Sequence, residues 1–274
     1  MQPTERRLRL QVAKAVALEA GRLAMRFFRN RDALSIETKL NALDLVSQAD
    51  REVEQLIRTQ LLDAFPEDGF LGEESGSHSG QGAWVVDPID GTYPFLKGTP
   101  VWCTSIAYHL EGQAQVGVIY DPNTDELFSA ARGEGAFLNG KRLELPTTEG
   151  LSGGTIAIGH SPKVSNDPSI RAMEFVLQQG GLYQRNGSGA LMAVYVAAGR
   201  HVAFYETHIN SWDCLAALLM IEEARGWTND FLANDGLHQG NYLIAGAPGT
   251  EPVMQELLAY ARPETWLATR THWV

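Results

Sequence analysis

Trp84-Val85-Val86-Asp87-Pro88-Ile89-Asp90-Gly91-Thr92 is the stretch that most restricts what this chain can become. Its apolar opening predicts a short buried strand over 84–86, and this strand runs directly into residues of turn chemistry. Two carboxylates, three residues apart, would then stand at the carboxyl end of a core strand, where functional sites collect. Pro88 fixes its own φ and Gly91 permits unusual backbone geometry, so Asp87, the Ile89 carbonyl and Asp90 can converge on one point. Three oxygen donors within four residues suit a hard cation such as Mg²⁺. If Gly91 and Thr92 begin a helix, their amides face an anion beside that cation. An isolated D-x-x-D is more often plain turn chemistry, so the rest of the chain must decide.

Two further acidic elements bear on that decision. Gly72-Glu73-Glu74-Ser75 places adjacent carboxylates just upstream of the strand, either as a solvated loop or as ligands. Trp212-Asp213 precedes an apolar helix, with Ser211 the expected N-cap and Asp213 in the first turn, where the helix dipole alone would favour an acid.

The surrounding pattern is that of a mixed fold. Apolar residues at steps of three or four predict helices over 4–28 and 47–65, with a polar loop at 37–44 between them. Strands over 104–110, 115–120, 126–131 and 135–138, separated by short turn signals, predict an antiparallel meander. The second half alternates, with strands near 155–159, 201–206 and 242–245 and helices near 168–179, 190–198, 211–225 and 251–261. This reads as an α+β half over 1–145 and an α/β half over 146–274, packed as one unit across a Pro/Thr/Ser/Gly-rich stretch near 143–154.

Composition excludes several classes. The 22 Lys and Arg against 33 Asp and Glu give a net charge of −11, which disfavours nucleic-acid grooves and anionic membrane surfaces. No apolar run approaches the length of a membrane span, and the N-terminus lacks a secretory signal pattern. The two cysteines, Cys103 and Cys214, lie far apart without C-x-x-C spacing, consistent with a reducing, cytoplasmic setting. There is no P-loop and no G-x-G-x-x-G. Gly150-Leu151-Ser152-Gly153-Gly154 matches G-x-S-x-G but precedes a strand, so it reads as a loop. The seven histidines form no i, i+4 zinc pair, and Trp84 and Trp212 read as core anchors.

Taken together and in order, Gly72-Glu73-Glu74-Ser75, Asp87-Pro88-Ile89-Asp90-Gly91-Thr92 and Trp212-Asp213 resemble the signature of the inositol monophosphatase family of Mg²⁺-dependent, Li⁺-sensitive phosphatases. Thr38-Lys39, 44–50, 194–200 and 212–226 extend the resemblance over nearly the whole chain. It implies a layered αβαβα sandwich of the sugar-phosphatase type, a homodimer, and up to three Mg²⁺ ions, with Mn²⁺ as a substitute and Li⁺ and Ca²⁺ as inhibitors. Carried over by position, Glu73, Asp87, the Ile89 carbonyl, Asp90 and Asp213 would hold the metals. Asp50 and Thr92 would orient and activate the attacking water, and Glu74 would contact water or the ligands. Asp90, Gly91, Thr92, Gly189 and Glu206 would meet the substrate, and Lys39 would lie on a loop covering the site. The substrate would be a small phosphate monoester, inositol monophosphate first and histidinol phosphate second. A role as an RNA or transcription-machinery partner, like that of some bacterial relatives, is the alternative of another class. One departure is visible: Tyr93-Pro94-Phe95 stands where inositol-directed members usually have Thr-Asn-Phe, which alters the rim and leaves the metal chemistry intact.

Overall fold

A computed structural model describes residues 1–34, 36–38, 45–151, 154–161 and 163–262. Helix α1 (Pro3–Arg29) has Pro3 in its first turn, Glu5 at the positive end of its dipole, and Arg26 and Arg29 at the negative end. It buries the small residues Ala13, Ala17, Ala20, Gly21 and Ala24, so its backbone lies close to what it covers. Short strands β1 (Ile36–Thr38) and β2 (Leu45–Ser47) pair antiparallel, so residues placed in the expected polar loop at 37–38 belong to a strand. Helix α2 (Gln48–Ala64) follows, started by a capping box in which the Ser47 side chain and Asp50 satisfy each other's backbone amides.

Strands β3 (Gly69–Gly72), β4 (Gly76–His78) and β5 (Ala83–Asp90), helix α3 (Thr92–Leu96), and strands β6 (Cys103–Leu110), β7 (Gln113–Asp121), β8 (Glu126–Ala131), β9 (Gly135–Leu138) and β10 (Lys141–Leu143) come next. The eight strands form one sheet in the order β10-β9-β8-β7-β6-β5-β3-β4. Strands β6 to β9 are the expected antiparallel meander, which β5 and β10 extend at its two ends, while β3 joins β5 in parallel. Strand β5 is longer than its apolar residues suggest, and Asp87 and Asp90 lie on it. Between its Asp87–Ser105 and Asp90–Cys103 pairings β5 has two residues, Pro88 and Ile89, against one on β6, Thr104, a bulge that re-aims both acids.

The rest of the chain is β11 (Thr155–Ile158), α4 (Asp167–Gln178), β12 (Leu182–Gln184), α5 (Gly189–Ala197), β13 (Ala203–Ile209), α6 (Ser211–Glu223), β14 (Trp227–Thr228), α7 (Gly236–Gln239), β15 (Asn241–Gly246) and α8 (Glu251–Ala261). Its five strands order as β12-β11-β13-β15-β14, with the first three parallel and the last two joined antiparallel.

Three hydrophobic clusters define the layers. One joins α1 and α2 to a face of the large sheet through Ala17, Val53, Trp84 and Val118. A second fills the space between the two sheets with α5 and α6, through Leu191, Val194, Leu219, Ile119 and Phe204. The third seats α4 and α8 on the outer face of the small sheet through Val176, Leu257 and Ile156. The order is αβαβα. Because α5 and α6 are covered on both sides, they are apolar all round instead of striped.

Gly117 of β7 controls how near α6 can come: a Cβ there would lie 2.7 Å from the Ala216 carbonyl oxygen and 3.0 Å from its Cα. Gly117→Ala should therefore push α6 off the sheet and cost about 1–3 kcal/mol by overpacking. An unchanged urea midpoint would show that α6 is not seated this way.

Candidate active site

Four acids meet from three separate elements. Asp87 and Asp90 come from β5 and are 2% and 7% exposed, Glu73 from the turn after β3, and Asp213 from the first turn of α6. One oxygen each of Glu73, Asp87 and Asp213 lies within 4.8 Å of the others, the only such group of potential metal ligands among the described residues. The Asp87 turn is held by its own carboxylate, which accepts the Ile89 amide at 2.9 Å, and Thr104 Oγ1 donates to the Pro88 carbonyl at 2.9 Å. Asp213 is fixed by an N-terminal capping box with Asn210, whose backbone and side-chain nitrogens both donate to it at 3.2 Å. The cap is thus Asn210 and not Ser211, because Asp213 at the third helical position reaches back to the Asn210 amide.

Asp90 lines the same cavity as the trio and is held at the N-terminus of α5. Its carboxylate accepts the Ala190 amide at 2.8 Å, the Gly189 amide at 3.2 Å and the Ser188 hydroxyl. Helix amides and dipole both favour the ionised form. Burial outweighs them, and with the Asp213 charge it lifts Asp90 to about 7. Burial, then the charges of Glu73, Asp90 and Asp213, raise Asp87 well above the usual carboxylate range. Asp213 is raised too, mainly by burial, against the Asn210 hydrogen bonds. Like charges crowded in a dry place resist ionisation, and an all-oxygen set of this kind fits a hard divalent cation.

Beside the acids, Thr92 opens α3 behind Gly91, whose φ of 100° only glycine adopts without strain. The Thr92 hydroxyl lies 3.1 Å from Asp50 Oδ1 and 3.2 Å from the Ile89 carbonyl oxygen. The other Asp50 oxygen is occupied by the Ser47 amide at 2.8 Å and hydroxyl at 2.7 Å, so Oδ1 is the one turned to Thr92. Burial raises Asp50 against these bonds.

A cavity of about 410 Å³ opens over Glu73, Asp87, Asp90 and Asp213 and is lined also by Gly91, Thr92, Gly189 and Glu206. Glu206 lies on β13 beside Gly159, where a Cβ would meet its carboxylate at 1.9 Å, and burial raises it well above its ordinary value. Sequence reasoning missed the far wall: His160, Ser161, Lys163, Arg185 and His208. They sit on or beside β11, β12 and β13 with no motif spacing, so only the folded chain assembles them. Trp212 packs against the inter-sheet core and also lines the cavity. Glu74 does not line it, and its amide is bound by Glu54 at 2.9 Å. Lys39 and Asp44 lie outside the described residues, as do Ser152 and Gly153.

Comparison with known proteins returns one family. The model of the inositol monophosphatase family matches residues 5–266. An inositol-1-monophosphatase of Rhizobium meliloti (strain 1021) is 40% identical over 254 residues, covering 91% of this chain and 95% of its own. Nus factor SuhB of Escherichia coli (strain K12) is 35% identical over 262 residues, covering 93% and 96%. The crystal structure of extragenic suppressor protein suhB from Bartonella henselae superposes with a TM-score of 0.84 at 35% identity, covering 93% of this chain and 98% of that one.

The raised carboxyls fix the sign of a pH effect. Between the unfolded value near 4 and the folded value of about 7 for Asp90, the metal-free folded state holds more protons than the unfolded one. Stability present below that window is lost as pH rises through it, and a bound cation should remove the loss. The rise in melting temperature on exchanging EDTA for Mg²⁺ should thus be small near pH 5 and grow toward pH 8. A gap that does not change with pH would contradict this account.

Proposed function

The chain belongs to the inositol monophosphatase family, and on that footing we propose that it is a Mg²⁺-dependent phosphatase acting on a small phosphate monoester, with inositol monophosphate the leading substrate. The observation that carries the reading is the acid trio within 4.8 Å at the floor of the cavity, next to the Thr92–Asp50 pair. Glu73, Asp87, Asp90, Asp213 and the Ile89 carbonyl would hold the metal. When bound, Mg²⁺ supplies charge neutralisation of phosphoryl oxygens and acidification of water.

The chain's own groups do the rest. Thr92 donates its single proton to Asp50, which leaves the hydroxyl lone pairs to accept from the attacking water and orient it. Asp50, raised by burial, is a base within one hydrogen bond of that hydroxyl. The Gly91 and Thr92 amides open α3 and can receive the phosphate, with no side-chain nucleophile required. Glu206, across the cavity, would accept a substrate hydroxyl, and Gly189 would line the same space, where a Cβ would crowd Ile209 at 3.1 Å. The 40% identity to an inositol-1-monophosphatase supports inositol phosphate over histidinol phosphate.

The test is phosphate release with Mg²⁺ from a panel of inositol phosphates, histidinol phosphate and 3′-phosphoadenosine phosphates. Inositol monophosphate should be turned over best, and Asp90→Asn should reduce release on the order of 100-fold by removing a charged ligand. If no monoester is hydrolysed, the reading fails. Relatives named Nus factor SuhB support a second reading, a partner-binding role, which Asp90→Asn would leave standing while phosphate release is lost.

A further inference from the structure

Glu54 takes no part in the chemistry above, yet its side chain is buried, with the residue only 2% exposed. It lies one turn beyond Asp50 on α2 and shares its face. Each of its oxygens takes one amide from the turn that carries Glu73: Oε2 accepts from Glu74 at 2.9 Å and Oε1 from Ser75 at 2.8 Å. At Gly72, on the other flank of Glu73, a Cβ would lie 2.4 Å from Glu54 Oε2 and 2.6 Å from its Cδ. The backbone descends onto this carboxylate in a way that only glycine allows. One turn further along α2, Arg58 donates from Nη1 to Ser75 Oγ at 3.2 Å and stacks over the Phe70 ring, 5.4 Å from its centroid. Glu73 itself donates its amide to the Val86 carbonyl of β5 at 3.2 Å.

Two charge-assisted bonds to consecutive amides are strong for so short a turn. Without them the turn would have to be ordered when the metal arrives, at a conformational cost taken from the metal affinity. Helix α2 thus grips the site twice, with Asp50 on Thr92 and Glu54 on the Glu73 turn.

We propose that Glu54 is a positioning residue that sets the Glu73 turn for metal binding before the metal arrives, acting through the Glu74 and Ser75 amides. This rests on the metal reading of the preceding section. In Glu54→Gln the side-chain NH₂ must face one of the two amides, so one bond becomes a repulsion while volume is kept.

The experiment titrates metal-free protein with Mn²⁺ alone, followed by electron paramagnetic resonance. Glu54→Gln should weaken Mn²⁺ binding about tenfold, in the range typical of groups that orient ligands. Gly72→Ala, which displaces the same carboxylate from the opposite side, should weaken it comparably. Activity lost in either variant should return as Mg²⁺ is raised. A residue that served stability alone would lower the melting temperature without changing the Mn²⁺ dissociation constant, and that result in a folded variant overturns the proposal. A third measurement uses the unaltered chain. In metal-free protein the Glu74 and Ser75 amides should exchange slowly with deuterium, and exchange at the rate of an exposed turn overturns the proposal whatever the variants do. Wild-type protein that binds no Mn²⁺ would sink the metal reading itself, whereas normal binding in wild type and both variants would sink only the role of Glu54.

Discussion

Repulsion among carboxylates gathered in a poorly hydrated place is the constraint around which this structure is arranged. Two unit charges about 4 Å apart interact with on the order of 4 kcal/mol at an effective dielectric of about 20. A trio within 4.8 Å therefore carries strain comparable with the roughly 5–15 kcal/mol that stabilises a whole domain. Burial raises Asp87, Asp90 and Asp213, neighbouring carboxylate charges add to it for Asp87 and Asp90, and protonation relieves the strain in the metal-free chain. A bound divalent cation would relieve it without removing charge, and would turn an electrostatic liability into a site that attracts an anion.

The fold offsets part of that strain through its helix ends. Asp50 occupies the third position of α2 and Asp213 the third position of α6, each closing a capping box. Asp90 belongs to no helix but accepts the first amides of α5. Three helix N-termini thus point their positive ends at acids of one site. Each helix is fixed by packing elsewhere, α2 against the large sheet with α1, and α5 and α6 between the two sheets. The acids consequently cannot relax apart without unpacking a layer. That rigidity is what makes the raised carboxyls a property of the fold and not of a side-chain rotamer.

Legibility in the sequence followed how local the determining physics was. The helices, the meander and the acids of the two main motifs were readable because periodicity and turn chemistry act within a few residues, and the family resemblance tied the separate motifs together. The bulge that carries Asp87 and Asp90 was not readable, since it is defined by the register of β6, whose consecutive residues Thr104 and Ser105 pin the Pro88 and Trp212 carbonyls. Strand β12 is exposed throughout and only three residues long, so it carries no burial pattern to read. His160, Lys163, Arg185 and His208 share a wall only because parallel strands bring their ends together. Glu54 belongs to no motif in the sequence. Its burial comes from a turn twenty residues away, where Gly72 and the Glu74 amide close over it.

The departure at Tyr93-Pro94 can be placed in the same terms. Pro94 sits in the first turn of α3, where its missing N–H costs no hydrogen bond, and it is buried. Tyr93 points outward, 43% exposed, with the Lys97 ammonium 5.6 Å above its ring. Neither side chain is among the residues that line the cavity. Pro94 does reach the site indirectly, because a Cβ at Gly187 would lie 3.4 Å from its Cγ, and Gly187 lines the cavity. Gly187 also has a φ of 98°, a conformation that excludes most other residues. The rim of the pocket is therefore built as a glycine resting on a rigid proline ring. It has little freedom to adapt, so under the proposed phosphatase function discrimination among monoesters would fall to the groups across the cavity, Glu206 and the basic wall.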